Sequence, residues 1–280
     1  MATPAKSGAP RPTLAIIQAP ALKKTSWLVH AFSTRANGSL GFVAHETRER
    51  VQQNRRRFVA ALGASPDLVT LRQIHSDLIH VITSLPTETL AGDGLITNVP
   101  GITLGILTAD CFPVLLVDTK NKAVGAFHAG WRGTVARIAE KGLGLMRREY
   151  GTRAQDVYAA IGSGIQQCCY EVGEEVQAKF ESQFPYSAEL FREVKDSDPV
   201  REKYPLLFMN MRAPGHGDLC VKLHLDLREA NHRQLISLGV KPDSIFASSE
   251  CTACKIERFF SHRAEKGSTG RMMAVIGIKE

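Results

Sequence analysis

The chain has 280 residues, 44% of them hydrophobic, which is enough for a large buried core near the upper size of one domain. Its formal charge is +7, but the 35 lysines and arginines are scattered, and the densest run, residues 48–57, is typical of a solvated helix face, so nucleic acid is not a predicted partner. No apolar run could span a bilayer and the start lacks an apolar signal core, which predicts a cytoplasmic protein without a membrane partner. The six cysteines then predict thiols or metal ligands and not a disulfide framework.

Residues 1–13 are rich in proline, alanine, serine and lysine. They cannot bury enough apolar surface to fold, so a flexible tail is predicted. Residues 14–280 contain no low-complexity linker and no repeat of fixed period, which predicts a single domain. Heptads and long exposed apolar stripes are also missing from the sequence, so a monomer is expected.

In chain order, short apolar runs rich in β-branched residues and separated by polar turns predict strands. These strands cover residues 69–75, 78–83, 102–111, 113–118, 123–129, 256–262 and 271–278, and a further strand ends at FSTR, residues 32–35. Several are apolar at nearly every position, which is typical of strands that are buried on both faces.

Two predicted helices interrupt the strands. The first covers residues 134–150, with Thr134 as its N-terminal cap and Gly151 just after its end. The second covers residues 226–239, is opened by Asp226 and is closed by its final glycine. This mixed order of strands and helices predicts an α+β fold built as a layered sandwich with mixed sheets.

Three predicted strand ends carry side chains that bind transition metals: His75 closes QIH, Cys111 closes TADC and His128 lies in AFHAGW. One thiolate and two imidazoles suit zinc, with copper as the less favoured metal, and three protein ligands leave a fourth position open, as in catalytic zinc sites. The spacing matches no compact ligand motif, so two other interpretations stay open. Cys111 can be a buried small apolar residue beside hydrogen-bonded histidines, or a nucleophile activated by a neighbouring histidine.

A glycine-rich turn, HAGWRGT at residues 128–134, leads into the first predicted helix and is a candidate phosphate site. Gly130 and Gly133 would expose backbone N–H groups at a helix start, and Arg132 would add a two-pronged donor for an anion. A tight turn with its tryptophan in the core explains the pattern equally well. Arg35 is a second candidate anion ligand, although an exposed arginine is usually only surface.

The remaining polar motifs are less specific. Asp93, between two glycines in GDGLIT, can orient a ligand histidine, accept a substrate proton or bond its own backbone. Cys251 and Cys254 have Cys-x-x-Cys spacing, but no second pair lies at zinc-finger distance. Cys168 and Cys169 are adjacent, which predicts poor geometry for joint chelation. All four are expected to be buried and unmodified, with a redox or metal pair at Cys251 and Cys254 as the alternative.

Eight motifs carry a family resemblance: FSTR, QIHS, GDGLIT, TADCFPVLLVD, AFHAGWRGT, CCYEVG, FFSHR and GRMMAVIGI. Their order, from about Val29 to Ile278, resembles the YfiH-like laccase-domain family, also described as a purine nucleoside phosphorylase family of bacteria and animals. The resemblance implies one laccase-like catalytic domain over residues 14–280. It also implies a zinc ion on the histidine and cysteine triad, in a sandwich of α, β, β and α layers similar to the catalytic domain of cytotoxic necrotizing toxin.

The activity implied by the resemblance is phosphorolysis of adenosine, inosine, guanosine and methylthioadenosine, together with deamination of adenosine. Purine nucleosides and phosphate are therefore the expected partners. Some members are similar to cytoplasmic amidases that edit UDP-muramyl precursors, and a non-catalytic metal-holding interaction protein is a further alternative. The older description of the family as multicopper laccases does not suit this sequence, which lacks the repeated His-x-His pairs that several copper ions need.

Two segments depart from the family pattern. GSGIQQCCYEVG, residues 162–173, replaces a Gly-Pro-Ala-Ile-Gly-Pro run, and His262 of SHR stands where tyrosine is common. Both segments are expected to line the pocket and to affect substrate preference.

Overall fold

The strands and helices are seen in a computed structural model that describes residues 15–195, 203 and 221–280. The predicted tail of residues 1–13 and Cys220 lie outside the described residues. The strands are β1 (Ile16–Ile17), β2 (Leu28–Ser33), β3 (Leu68–Thr70), β4 (Ile79–Val81), β5 (Gly94–Thr97), β6 (Thr103–Thr108), β7 (Phe112–Asp118), β8 (Ala123–Ala129), β9 (Val157–Ile161), β10 (Glu171–Val172), β11 (Phe191–Lys195), β12 (Val221–Leu225), β13 (Ile245–Ala247) and β14 (Met272–Ile278). The α-helices are α1 (Arg48–Ala61), α2 (Trp131–Val135), α3 (Ile138–Tyr150), α4 (Glu174–Glu181) and α5 (Leu227–Ser237), and short 3₁₀ helices occur at Pro20–Lys24, Arg35–Asn37, Ala154–Asp156, Ser187–Leu190 and Pro242–Ser244. None of the helices in these residues is long and apolar enough to cross a membrane.

The strands form two large sheets and one small sheet. The five-stranded sheet has the order β1-β2-β14-β6-β3, with β14 antiparallel to β2 and β6, and β3 parallel to β6. The six-stranded sheet has the order β13-β9-β7-β8-β5-β4, antiparallel at its centre and parallel at both edges. The small sheet has the order β10-β12-β11. Both large sheets are therefore mixed, as predicted.

Strand β7 explains why the six-stranded sheet is covered on both faces. Successive side chains of a strand point to opposite faces. Leu115 and Val117 accordingly pack into a core shared with β6 and β14 of the other sheet. Val114 and Leu116 point the other way, into a core that includes residues of α3 and α5. The run is continuously apolar because both faces are buried.

Strand β14 is likewise buried on both faces in the five-stranded sheet. Ala274 and Ile276 join the core between the two sheets, whereas Met273 and Val275 pack against Phe58 of α1 on the outer face. The layers are therefore α1, the five-stranded sheet, the six-stranded sheet, and α3 with α5. This arrangement confirms the predicted α+β sandwich of α, β, β and α layers.

The ends of the most apolar strands were predicted to within about one residue. Predicted strands 113–118, 123–129 and 271–278 correspond to β7, β8 and β14. The predicted helix at residues 226–239 corresponds to α5, and the side chain of Asp226 caps it by accepting from the backbone N–H of Glu229 at 2.9 Å. These predictions are confirmed.

Three strand predictions are wrong in whole or in part. The strand predicted at 102–111 stops at Thr108, and Asp110 has a positive φ of 88°. Residues 256–262 form turns and a loop, although three of them are apolar or aromatic. The strand predicted at 69–75 stops at Thr70, and the chain then bends until His75 takes a left-handed φ of 58°. A residue with positive φ cannot continue a strand.

The helix predicted at residues 134–150 is interrupted. Arg137 has a left-handed φ of 61° and separates α2 from α3. Thr134 is not the N-terminal cap, because it lies inside α2, where its hydroxyl accepts from Asn231 Nδ2 at 3.0 Å. The predicted end is correct, since Gly151 follows α3 with a φ of 70°.

His30 is a buried histidine of β2 that the fold holds neutral. The backbone N–H of Ala19 donates to its Nε2 at 3.0 Å, so this nitrogen must be free of a proton. Burial lowers the pKa of His30 from its ordinary value of 6.5 to about 4. Between about pH 6.5 and pH 4, His30 is therefore protonated in the unfolded chain but neutral in the folded chain.

We expect this histidine to make folding stability pH-dependent. The stabilisation that comes from holding His30 neutral is fully present above pH 6.5. As the pH falls toward 4, the free energy of unfolding decreases by up to about 3 kcal/mol. A His30→Gln variant keeps an acceptor for Ala19 but does not titrate, so its stability should fall less over the same window. Urea unfolding midpoints of both proteins between these pH values measure the difference. Identical pH dependence of the two proteins would show that His30 is not held neutral.

Candidate metal centre and active site

The structure brings His75, Cys111 and His128 together. One ligand atom of each lies within 4.8 Å of the others. The two imidazole rings meet edge to face, with centroids 4.9 Å apart. His128 is buried, Cys111 is partly buried and His75 is exposed. The three side chains therefore form a cluster that is closed below by the fold and open to solvent on the side of His75.

The pairing of β7 with β8 places Cys111 beside the histidines. In this antiparallel pair Phe112 lies opposite Ala129, so Cys111, one residue before β7, comes beside Gly130. A Cβ at Gly130 would lie 2.9 Å from the Cys111 sulfur. Glycine at this position allows the backbone to approach the thiol closely.

The pairing of β5 with β8 places Asp93 beside His128. The backbone carbonyl of Asp93 accepts from the backbone N–H of His128 at 2.8 Å. The buried carboxylate of Asp93 also lies 2.8 Å from Nδ1 of the same histidine, where that nitrogen donates to it. Because this bond occupies Nδ1, Nε2 is the nitrogen of His128 that can bind a metal once it has lost its proton; a carboxylate commonly lies behind a ligand histidine in this way.

The same carboxylate fixes the loop that carries His75. It accepts from the backbone N–H groups of Ile74 at 3.1 Å, His75 at 3.0 Å and Ser76 at 2.6 Å, and from the Ser76 hydroxyl at 2.8 Å. These bonds stabilise the left-handed backbone of His75, which costs a non-glycine residue about 1–2 kcal/mol. Asp93 thus positions both histidines, as expected for a carboxylate that orients a ligand.

The charges of the cluster favour a cation. Burial raises the pKa of the Cys111 thiol, but the charge of His128 and hydrogen bonds from both histidines outweigh burial and bring it to about 6. Burial lowers the pKa of His128, and the Cys111 thiolate and Asp93 together raise it to about 9. Burial likewise raises the pKa of Asp93, yet hydrogen bonds from His128 and Ser76 hold it well below its usual range. Without a metal, the cluster therefore holds a thiolate and a carboxylate around a protonated imidazole.

The triad lies in the wall of a cavity of about 470 Å³. This volume falls within the range of small-molecule sites. Ile165 and Tyr170 of the first departing segment line the cavity, and so do His262 and Arg263 of the second. The prediction that both segments line the pocket is confirmed.

Two arginines give this cavity a positive wall. Arg271 is half-buried and uses Nη1 to donate to two neighbouring backbone carbonyls. Arg263 is exposed, and its Nη1 donates to the carbonyl of Glu171 at 2.8 Å. The backbone N–H of Arg263 donates to the carboxylate of Asp110 at 2.7 Å. Because Asp110 directly precedes Cys111, it connects the arginine segment to the triad.

The structure places the two arginines predicted as anion ligands elsewhere. Arg35 forms an ion pair with Glu265 at 2.7 Å. Arg132 is exposed, stacks on Trp131 at 4.3 Å and lines a separate cavity. Neither arginine lines the cavity of the triad. Within the predicted turn, the glycines and not Arg132 lie against the triad. A Cβ at Gly133 would be 3.1 Å from the backbone carbonyl of His128.

Two expectations about the other cysteines are wrong. Cys251 is buried, but Cys169 is partly buried and Cys168 and Cys254 are exposed. The adjacent pair also does not prevent clustering, since the four sulfurs lie within 4.8 Å of one another. Cys168 and Cys169 lie within a tight turn, in which the backbone N–H of Cys169 donates to the carbonyl of Gln166 at 3.0 Å.

Gly130→Ala tests whether the close approach of backbone and thiol matters. The added methyl group would lie 2.9 Å from the Cys111 sulfur, so the sulfur or the backbone must move, whereas the His75 ring at 3.5 Å would be in ordinary contact. We expect metal binding to weaken by about 1–3 kcal/mol, as for other overpacked sites. Gly144→Ala is the matched control, because nothing lies within 4 Å of its added methyl group.

In the middle of helix α3, Gly144→Ala should stabilise the protein by up to about 1 kcal/mol and leave metal affinity unchanged. Zinc titration and thermal unfolding of both variants measure the two effects. If the Gly130→Ala protein bound zinc with wild-type affinity, the close approach of the backbone at residue 130 to the Cys111 sulfur would not be needed for metal binding.

Residues 30–279 match the model of a family described as multi-copper polyphenol oxidoreductase laccase. The chain belongs to this laccase-domain family. Among its relatives, a purine nucleoside phosphorylase of Deinococcus radiodurans is 35% identical over 95% of this chain and 94% of the relative. Adenosine deaminase RL5, from an unknown prokaryotic organism, is 36% identical over 73% of this chain and 72% of the relative.

Solved laccase-domain structures share the fold. YfiH of Bacillus licheniformis has a TM-score of 0.76 and 29% identity, and the likeness covers 92% of this chain and 95% of that chain. YlmD of Geobacillus stearothermophilus has a TM-score of 0.74 and 30% identity over 94% of both chains. The family resemblance carried by the eight sequence motifs is confirmed.

Four ionisable residues that line the laccase-domain cavity do not stand out in the sequence. They are Tyr170, Arg263, Arg271 and Asp110. Each lies inside or next to a motif that carries the family resemblance: CCYEVG, FFSHR, GRMMAVIGI and TADC. The motifs were therefore the available signal, but residue type alone did not separate these four from their neighbours.

Proposed function

We propose that this laccase-domain chain is a zinc-dependent purine nucleoside phosphorylase acting on adenosine, inosine, guanosine and methylthioadenosine. The observation that carries the proposal is that three metal-binding side chains and two arginines share one cavity of about 470 Å³. A cavity of that size accommodates a nucleoside. Relatives named purine nucleoside phosphorylase support the same reaction class.

The triad fits a catalytic metal. A thiolate and two imidazoles form a donor set suited to zinc, Asp93 orients His128 from behind, and the exposed side of the cluster remains accessible. When bound, zinc supplies a Lewis acid beside the substrate. The same donors also accept copper, so the metal has to be measured together with the activity.

In phosphorolysis, phosphate attacks C1′ of the ribose while the bond to the purine nitrogen breaks and the base takes up a proton. Arg263 and Arg271 line this cavity, and in the proposed reaction they hold the phosphate through charge-assisted hydrogen bonds. Tyr170 lines the same cavity, and its hydroxyl is protonated at neutral pH, as for any tyrosine; burial and the nearby Cys111 thiolate raise its pKa further. It can therefore donate a hydrogen bond to the departing base.

We propose adenosine deamination as a second activity of the same cavity. The relative named adenosine deaminase RL5 supports it. Hydrolytic removal of the amino group consumes water and no phosphate. Residues that only hold phosphate should therefore affect phosphorolysis and leave deamination largely unchanged.

The test is to incubate purified, metal-quantified protein with adenosine, inosine and methylthioadenosine, with and without phosphate, and to separate the products by chromatography. We expect phosphate-dependent release of free base and pentose 1-phosphate. Release of an amino acid from UDP-muramyl precursors without phosphate would favour the amidase alternative instead. Failure to turn over either substrate class would favour a metal-holding interaction protein.

Arg271→Ala and Arg263→Ala test the phosphate site. Loss of a charge-assisted hydrogen bond costs about 1.5–3 kcal/mol, so we expect the KM for phosphate to rise roughly 10-fold or more in each variant. Deamination of adenosine should change much less. Initial rates at varied phosphate measure the first effect and ammonia release measures the second.

Arg132→Ala serves as the comparison, because Arg132 stacks on Trp131 outside this cavity. Its phosphate KM should stay at the wild-type value. If the KM for phosphate rose only in the Arg132→Ala protein, phosphate would bind at the glycine-rich turn of residues 128–134, as the sequence first suggested.

A further inference from the structure

A second group of metal-binding side chains lies outside the triad. The sulfurs of Cys168, Cys169, Cys251 and Cys254 all lie within 4.8 Å of one another. The sulfur of Cys254 is 3.3 Å from that of Cys169 and 3.5 Å from that of Cys168. The two halves of the group come from segments more than 80 residues apart in sequence, so the fold and not local chain geometry assembles it.

The size of the group fits a single ion. Zinc binds thiolate sulfur at about 2.3 Å, which places the corners of a tetrahedron about 3.8 Å apart. Four sulfurs within 4.8 Å need only small side-chain movements to reach that geometry. An iron–sulfur cluster has several irons and bridging sulfides at its centre, and its cysteines would have to stand further apart.

The backbone holds the two segments together before any metal binds. Gly164 and Cys251 form a parallel β-bridge, and the N–H of Thr252 donates to the Gly164 carbonyl at 3.1 Å. The backbone N–H of Gln166 donates to the Cys251 sulfur at 3.4 Å. Backbone donors of this kind stabilise a charged thiolate more than a neutral thiol. The site is therefore preorganised around its most buried sulfur.

We propose that Cys168, Cys169, Cys251 and Cys254 bind a second zinc ion in a closed, structural site of four thiolates. On binding, the thiols release their protons to solvent and all four sulfurs coordinate the ion, so no position is left for substrate. No oxidant takes part. The exposed Cys168 and Cys254 give the ion its path from solvent.

This zinc would fasten segments that shape the active cavity. Tyr170, which lines the cavity, directly follows Cys169. Thr252, inside the second segment, donates its hydroxyl to Asp110 at 2.6 Å. Asp110 precedes the triad cysteine and also accepts from the backbone of Arg263. The four-cysteine site would thus support one wall of the cavity, although none of its cysteines lines that cavity.

The experiment is a metal count on the full chain after loading with zinc and removing weakly bound ions. We expect about two zinc ions per wild-type chain and about one in either Cys254→Ser or Cys111→Ser, since each variant removes one site. Cys254→His should restore the second ion, because imidazole can replace a thiolate as a zinc ligand. Circular dichroism and thermal unfolding show whether each variant folds.

X-ray absorption on the Cys111→Ser protein keeps the test decisive even if the Cys254 variants fail to fold. In that protein the remaining zinc should have about four sulfur neighbours at about 2.3 Å. A Cys111→Ser protein that holds no zinc, a remaining zinc with clearly fewer than four sulfur neighbours, or a disulfide among these cysteines in protein purified under reducing conditions would overturn the proposal. The result does not depend on which substrate the cavity binds.

Discussion

Replacing Cys111 by serine is expected to remove the metal of the triad and to lower kcat/KM for phosphorolysis at least about 100-fold, equivalent to about 2.7 kcal/mol. The thiolate is the one soft and negatively charged ligand among the three. A serine hydroxyl stays protonated at neutral pH and cannot replace it. The remaining pair of neutral imidazoles lacks an anionic ligand and is therefore a poorer site for a divalent cation.

The matched control for this variant is His45→Ala. His45 is an exposed histidine that does not line the cavity, so its loss should change neither metal content nor activity. Rates and zinc content are measured on the same samples, together with thermal unfolding to show that the serine protein is folded. A folded Cys111→Ser protein with full phosphorolytic turnover would remove the triad from the mechanism.

The core of the fold was predictable because burial on both faces leaves a strong sequence signal. β7 and β14 are apolar at almost every position, since one set of side chains fills the core between the sheets and the other set packs under helices. Residues 256–262 have a similar composition but form no strand. There, the backbone of Arg258 bonds to Lys255 within a turn, and composition alone does not reveal such a turn.

The clustering of His75, Cys111 and His128 was predictable, whereas the positions of Arg35 and Arg132 outside the cavity were not. Cys111 and Gly130 are brought together by the register of two neighbouring strands, and the strongly apolar β7 and β8 were visible in the sequence. The direction of an arginine side chain depends on partners that are distant in sequence. Arg35 bonds to Glu265, 230 residues further along the chain, and this contact keeps it out of the cavity.

The four-cysteine group also depends on contacts between residues distant in sequence, so it could not be predicted. Adjacent cysteines at 168 and 169 give no chelating spacing by themselves. Their partners lie on a segment joined to them through the bridge between Gly164 and Cys251. Only the parallel approach of these two loops makes the sulfurs neighbours, and neither loop has the periodic pattern from which such a pairing could be inferred.

Asp93→Asn is expected to weaken zinc binding at the triad about 10- to 100-fold, the usual cost of losing the partner of a ligand histidine. The carboxylate accepts from three backbone N–H groups, one hydroxyl and Nδ1 of His128. An asparagine has a single acceptor oxygen, and its amide group would face one of these donors. We also expect a loss of stability of about 3–5 kcal/mol, because the buried partners lose their counter-charge.

Asp118→Asn separates the role of Asp93 in positioning ligands from a general effect of losing a buried carboxylate. Asp118 is also buried and accepts from the backbone N–H groups of Lys120 and Asn121, at 2.9 and 3.0 Å, in the turn between β7 and β8. Its loss should lower the unfolding midpoint but leave zinc affinity unchanged. If both variants lost affinity equally, the effect would be one of stability. A selective loss in Asp93→Asn follows only if this carboxylate holds both histidines in place for the metal.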